Sequence, residues 1–358
     1  MKYLAYLCLT LMIGLFGPVQ GARADTLLLA FGGVPGGFDG DALQPYTQNA
    51  VVQINEPLFA YKKVTDADGK TTLDYSEIVG ALAESHEVKA DGLRVEVKLK
   101  EGVLSPYGNE LTAADVVWSW NKSFAQKRTG NFLAGVAGVT AVEEVSKYVV
   151  AFILKEPSSL LLPVLTVYAP GIYDSTEMKK HATAEDPWAL QWLQTNTASF
   201  GAYTVQSVRP YEQATFVANP NYYGDKPHFD TVIMRAVPSA AARITLLKSG
   251  QVHYIERPSF QQVKDLEGDA AVTVDSTDGR LFAAMWMNAN FEPFDELKVR
   301  QALNHAIDRQ SIIDSVFFGY ANSGDTIVSP MLPGYVELNS YPYDPEKAKQ
   351  LLAEAGVE

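Results

Sequence analysis

The sequence predicts a mixed α/β fold, and three stretches carry that expectation. Over residues 93–99, the apolar Leu93, Val95, Val97 and Leu99 alternate with Arg94, Glu96 and Lys98, the period of a strand with one buried face. After a loop containing Pro106 and Gly108, Thr112 and Asp115 stand three apart, ahead of Val116, Val117, Trp120 and Phe124. That is capping-box spacing followed by one apolar helical face. Residues 26–31, TLLLAF, are an apolar run of strand length.

The chain ahead of that first strand reads as a targeting segment. Lys2 gives a positive start, residues 4–16 an apolar stretch, and Ala22-Arg23-Ala24 a small-x-small cleavage site before Asp25. Cleavage after Ala24 is expected, so N-terminal sequencing of the exported protein should begin at Asp25; any other start contradicts the reading. The apolar stretch is short for a membrane span. Cys8, the only cysteine of 358 residues, lies inside it and lacks the preceding small residue of a lipoprotein site. Residues 25–358 therefore carry neither a disulfide nor a thiolate metal site. Loss of Lys2 and Arg23 takes the formal charge from -13 to -15, and an acidic surface disfavours nucleic acid and anionic membranes as partners. The length suggests roughly two domains.

The remaining elements follow in order. Phe31 opens into Gly32-Gly33-Val34-Pro35-Gly36-Gly37-Phe38-Asp39, where glycines permit close backbone approach; the same composition fits an ordinary surface turn. Residues 51–61, VVQINEPLFAY, are expected to form a helix broken at Pro57. Asp66-Ala67-Asp68-Gly69 is expected to be a hairpin turn, because the glycine and glutamate of a calcium loop do not follow at the required offsets. Asp91-Gly92 supplies the turn before the strand at 93. Another strand covers 148–154, closed by Glu156-Pro157. Phe200-Gly201-Ala202-Tyr203 enters a strand, and residues 219–224 turn the chain into the next, over 230–237. A helix over 240–249 is closed by Gly250, and Pro258-Ser259 opens a shorter one that Gly268 ends. A strand over 281–288, a helix from Val299 and a last helix beginning Asp344-Pro345 and ending at Gly356 complete the chain.

Taken together, these stretches resemble the family-5 extracellular solute-binding proteins, the dipeptide, oligopeptide and nickel receptors of ABC importers. Leu82-Ala83-Glu84-Ser85-His86-Glu87-Val88 through Ser119 follows the family order of LAESWEV, a DG turn, a strand, a KL-x-x-GV loop and LTADDVVWS, with His86 where Trp is usual. Residues 51–61 are similar to N-x-x-EPL-x-x-Y, 200–203 to TGPY, and 219–224 to NPNYWG with Tyr for Trp. Pro293-Phe294-Asp295 and the residues from Val299 to Asp308 are similar to PFDD-x-x-VRQAL-x-x-AID. The resemblance implies a bilobed periplasmic binding protein of cluster-C type. It implies a signal peptide at 1–24, a first lobe over 25–280 with an extra subdomain around 50–195, and the start of a second lobe over 281–358. Family chains continue past the helix at 344–356. The second lobe is therefore expected to be incomplete by on the order of 100 to 200 residues, leaving apolar helix faces open over 299–319 and ligand closure impaired.

The resemblance implies the periplasmic substrate-binding component of an ABC importer, taking a small peptide or peptide-like solute between two lobes by hinge closure. Its partner would be an inner-membrane ABC permease, its state monomeric when complete, and no cofactor is implied. It further implies a cleft-facing loop after the first strand, making Gly36, Gly37 and Phe38 candidates for ligand contact. It also implies a strand crossing between the lobes, which would carry Trp286 and Asn288. Tyr107, in the loop before the capped helix, is another candidate, since aromatic side chains line many sites at domain interfaces.

Two other function classes are considered. Ser119 and Lys122 form an S-x-x-K match and Lys248-Ser249-Gly250 a K-S-G match, the outer elements of a secreted serine-type hydrolase of the penicillin-binding class. The middle element is missing, and the K-S-G falls at a predicted helix end rather than on a strand. The third class is a non-transport peptide sensor or chaperone. No two of His86, His181, His228, His253 and His305 have the helical spacing of a zinc site, so no protein-held metal is expected, while a metal chelate as solute stays open.

Overall fold

The computed structural model describes residues 25–357 apart from 43, 68, 277, 278, 280–282, 325 and 339; the expected leader lies outside these. β1 (Thr26–Phe31) is followed by α1 (Thr47–Ile54), then by a hairpin of β2 (Phe59–Thr65) and β3 (Thr71–Gly80). The hairpin turn is the one expected, with Gly69 at φ 83° and the Asp66 N–H donating to Lys70 O at 3.0 Å. The helix expected over 51–61 is shorter than read. It stops at Ile54, and Asn55 is extended at φ -103°, ψ 138°. Glu56 precedes Pro57, whose ring disfavours helical backbone at the residue before it, and the chain passes directly into β2.

A four-stranded antiparallel sheet comes next. β4 (Ala83–Val88) and β5 (Arg94–Leu99) lead to α2 (Ala113–Gln126), α3 (Thr129–Ala137), β6 (Val139–Ser146) and β7 (Val149–Leu154). The strand order is β4-β5-β7-β6. Gly92, at φ 70°, makes the turn before β5 and donates its N–H to Lys89 O. Val95, Val97 and Leu99 are buried as their alternation requires, while Leu93 precedes the strand and stays exposed. At the start of α2, Asp115 Oδ2 accepts from the Thr112 N–H at 2.8 Å and from its hydroxyl at 3.0 Å. The helix then lays Val116 and Trp120 onto Phe152 of β7, with Val117 and Phe124 at the margin. Trp118, on another side of α2, joins Tyr173, Met178 and Leu193 in a second cluster.

Just ahead of α2, the Glu110 carboxylate accepts from Lys147 Nζ at 2.9 Å, the Tyr148 hydroxyl at 2.8 Å and the Gly102 N–H at 2.9 Å. These bonds, Lys147 first, lower its pKa to about 2. A carboxylate held below its unfolded value stabilises the fold above that value and loses the contribution as pH falls toward the folded one. An NMR titration of the Glu110 carboxyl should find a midpoint near 2; an ordinary glutamate midpoint contradicts the triple contact.

The chain continues through α4 (Leu161–Val164), α5 (Ser175–His181), β8 (Tyr203–Arg209), β9 (Gln213–Ala218), β10 (Thr231–Ala236), α6 (Ala240–Lys248), β11 (Tyr254–Ile255) and α7 (Phe260–Leu266). These complete a five-stranded sheet in the order β11-β1-β10-β9-β8. β1 lies between β11 and β10 and runs parallel to both, whereas β8, β9 and β10 are antiparallel. Gly250, at φ 69°, closes α6 as read, and Ser259 caps α7.

Beyond α7, α8 (Leu297–Ala306), α9 (Arg309–Ser315) and α10 (Pro345–Glu354) are helical. α8 and α10 pack through Ala302, Ala348 and Leu351, and Asp344 caps α10 by accepting from the Lys347 N–H. Leu297, Ile312 and Val316 face solvent, so these helices carry open apolar positions. The strand expected over 281–288 is corrected. Leu281 and Phe282 lie outside the described residues, and 283–288 form no strand. An apolar run becomes a strand only with a neighbour to complete its hydrogen bonds, and no described strand pairs with this one.

Candidate ligand-binding site

The parallel pairing of β1 with β10 and β11 brings three carboxyl ends to one edge of the sheet. Ligands of open α/β sheets bind outside such edges, where the strands stop and backbone groups turn outward. Here β1 runs into Gly32 and Gly33, and β11 into Glu256 and Arg257. The two exits are joined: the Gly32 N–H donates to Glu256 Oε2 at 3.2 Å, and the Glu256 N–H donates to Ala30 O at 2.9 Å. Glu256 is 7% exposed, a buried carboxylate on a rim. Its Oε1 lies 3.5 Å from Nε of Arg257, whose side chain is in solvent.

The Tyr46 ring covers the same loop. A Cβ on Gly32 would lie 2.7 Å from the Tyr46 hydroxyl oxygen, and one on Gly33 2.5 Å from the ring, so a side chain at either position would displace Tyr46. Tyr46 and Arg257 have φ of 61° and 44°, a region that costs a bulky side chain energy and recurs at ligand clamps. Two such residues flanking one strand edge mark it as a held, pre-shaped surface. Tyr254 adds a half-exposed ring, 5.9 Å from that of Phe31.

The base of the loop is anchored by a buried polar network. Asp39 Oδ1 accepts from Lys122 Nζ at 2.6 Å, the Asp41 N–H at 3.1 Å and the Tyr173 hydroxyl at 3.2 Å; its Oδ2 accepts from Arg128 Nη1 at 3.1 Å. The Gly40 N–H donates to the Tyr173 hydroxyl at 2.7 Å, and Asp41 Oδ1 accepts from the Gly130 N–H at 2.6 Å. Burial, with the Asp39 charge beside it, raises the Tyr173 pKa well above the ordinary phenol value. Burial raises that of Asp41 too, against the opposing Gly130 bond. The network fastens the loop to α2 and α3.

The sequence-derived candidates fall in different settings. Gly37 O accepts from the Thr47 hydroxyl at 2.9 Å, and the Phe38 N–H donates to Leu193 O at 2.8 Å. Gly36 is exposed at the bend, facing the Gln44 side chain. Phe38 has no exposed surface and meets Phe216 edge-on at 5.8 Å, so its side chain belongs to the core beneath the loop. Tyr107 donates its hydroxyl to Thr197 O at 3.1 Å and has its ring 6.3 Å from that of Trp192; burial, then the Glu177 and Asp174 charges, raises its pKa. Phe38 and Tyr107 thus brace the same segment, 192–197. Trp286 is 76% exposed, and Asn288 closes a local turn by accepting from the Asn290 N–H. Tyr46, Tyr254, Glu256 and Arg257 were not found by sequence reasoning. The strand that delivers three of them is two residues long, too short for any periodic signal.

The hydrolase constellation does not form. Ser119 is fully buried; its hydroxyl donates to Asp115 O at 2.7 Å and accepts from the Tyr173 N–H at 2.9 Å. Lys122 is spent on Asp39, and Ser249 caps a helix end. Among the described residues, no three His, Cys, Asp or Glu side chains gather as a metal site, and no helix is long and apolar enough to cross a membrane.

A family model described as bacterial extracellular solute-binding proteins, family 5 Middle, matches residues 77–358. The chain belongs to this family. It is 28% identical over 362 residues to the dipeptide-binding protein of Escherichia coli (strain K12), a match covering 94% of this chain and 64% of that protein. It is 29% identical over 299 residues to heme-binding protein A of Haemophilus influenzae, covering 78% of this chain and 54% of that one. The chain therefore spans less than two thirds of the length of these two relatives. Among solved structures, the ABC transporter-associated periplasmic binding protein DppA of Helicobacter pylori, in complex with the peptide STSA, matches with a TM-score of 0.75 at 24% identity. That match covers 92% of this chain and 66% of DppA. The α/β architecture of the family-5 chain is thus that of the bilobed periplasmic binding proteins.

Proposed function

We propose that this family-5 chain provides the first-lobe face of a site for a peptide-like solute, as the periplasmic substrate-binding component of an ABC importer with an inner-membrane permease as partner. The observation that carries the reading is the joining of Gly32 to the buried Glu256 at the carboxyl edge of β1 and β11, in a chain related to proteins named for binding dipeptides and peptides. A strand end that leaves the sheet through two glycines suits close approach of an extended ligand backbone, and Tyr46, Tyr254 and Arg257 supply a rim that tolerates varied side chains. Solute bound there stabilises a closed arrangement to the extent that it prefers it to the open one. Gly36, exposed in the same loop, is the candidate of the three that solute could reach, while Gly37 and Phe38 are buried beneath it.

Native mass spectrometry of the purified protein should find co-purified solute of peptide-like mass, released on denaturation; a co-purified tetrapyrrole or metal chelate would point to another solute class. Glu256→Ala should weaken solute binding on the order of tenfold, the scale of one bond to a charged acceptor, and should also lower the melting temperature, because the Gly32 N–H loses its acceptor. Unchanged affinity in this variant contradicts the placement. Fluorophosphonate and β-lactam probes should leave the protein unlabelled.

A further inference from the structure

Two buried carboxylates at the glycine loop are compensated very unequally. Asp39, 8% exposed, accepts from Lys122 Nζ at 2.6 Å and Arg128 Nη1 at 3.1 Å, as well as from a hydroxyl and a backbone N–H. Glu256, 7% exposed, has the Gly32 N–H on Oε2 at 3.2 Å and Arg257 Nε at 3.5 Å from Oε1. The second distance exceeds the about 2.7–3.2 Å of a formed hydrogen bond. The Arg257 side chain is also 88% exposed, so solvent screens the pair. Taking a carboxylate out of water is costly unless opposite charge and hydrogen bonds replace the water. Asp39 has both; Glu256 has one neutral donor and a loosely held cation.

Glu256 also stands where a solute would meet it. It follows β11 directly, and the strand period puts it on the same face as the half-exposed Tyr254. The point where a Cβ on Gly32 would stand is 2.7 Å from the Tyr46 hydroxyl oxygen and 3.8 Å from Glu256 Oε2, so a neutral acceptor lies close to the carboxylate. Resting on the reading of this edge as the solute site, we propose that Glu256 receives a cationic group of the solute, an ammonium or a guanidinium. Arg257 is the resident cation that the solute displaces. A solute cation brings charged N–H donors to Oε1 at bonding distance, and the Tyr46 oxygen can accept another. Arg257 yields its place at little cost, because its own pairing is long and screened. The formal charge of -13 favours the arrival of cations over anions.

Calorimetric titration with one short alanine peptide in three forms tests this: with a free amine, N-acetylated, and N-acetylated with one lysine added. A cationic form should bind the wild type on the order of tenfold more tightly than the acetylated alanine peptide, and the form that does so identifies the source of the cation. In Glu256→Gln, whose amide oxygen can still accept from Gly32, the preference should vanish; in Arg257→Ala it should widen. A preference absent from the wild type, kept in Glu256→Gln or narrowed in Arg257→Ala overturns the proposal while peptide binding itself stands. Should no form bind, the peptide reading fails, and propylammonium decides the proposal by itself. Titrated into the wild type, it should move the Glu256 carboxyl NMR signal saturably, where propanol does not. A signal that does not move, or moves equally with propanol, overturns the assignment.

Discussion

Lys122→Ala should destabilise the protein by about 3–5 kcal/mol, the cost of stranding one partner of a buried ion pair. Lys122 is 0% exposed, its ammonium lies 2.6 Å from Asp39 Oδ1, and it sits 5.3 Å from the centre of the Tyr173 ring. Removing it leaves the Asp39 carboxylate buried, with Arg128, whose side chain is partly in solvent, as its remaining cation. Urea denaturation of the variant measures the loss. The double variant Lys122→Ala/Asp39→Asn should cost less than the sum of its single changes, since groups in contact do not add. A loss below about 0.5 kcal/mol, the scale of an innocuous surface change, contradicts the pairing. Because Asp39 follows Phe38 directly, the variant should also loosen the glycine loop at 32–38, and weakened solute binding is expected with it.

Trp120→Ala should cost on the order of 3–5 kcal/mol, as truncation of a large core aromatic does. Trp120 is 1% exposed, meets Phe152 edge-on at 5.5 Å and packs beside Phe124. It joins α2 to the four-stranded sheet, away from the carboxyl edge of β1. The expected signature is a lowered denaturation midpoint with solute preference unchanged. A shift in preference at unchanged stability contradicts this division of labour.

Which parts were legible in the sequence follows from how local their causes are. The Thr112–Asp115 cap, the burial of Val95, Val97 and Leu99, the Gly92 and Gly69 turns and the Asp344-Pro345 helix start all depend on neighbours within a turn or a strand, and all are found where their residues place them. The end of α1 was misjudged because Pro57 acts on the residue before it, so the helix stopped earlier than the proline itself. The run at 281–288 has strand composition without a pairing partner, which composition cannot reveal. The site was less legible than the fold. The glycine loop stood out, but Asp39 meets Lys122 across 83 positions and Gly32 meets Glu256 across 224. No local pattern announces either contact. Phe38, chosen for its place in the loop, turned out to have its ring in the core below it.

The central claim is that solute binds at the carboxyl edge of β1 and β11, and photo-crosslinking tests it most directly because it captures weak as well as tight complexes. The protein would be irradiated with a library of short photoreactive peptides and the adducts mapped by mass spectrometry. Adducts concentrated at Gly32 to Gly37, Tyr46 and Tyr254 to Arg257, and competed away by unlabelled peptide, are the predicted result. Adducts spread over the exposed apolar positions of α8 and α9, or competed adducts located elsewhere, would contradict the account.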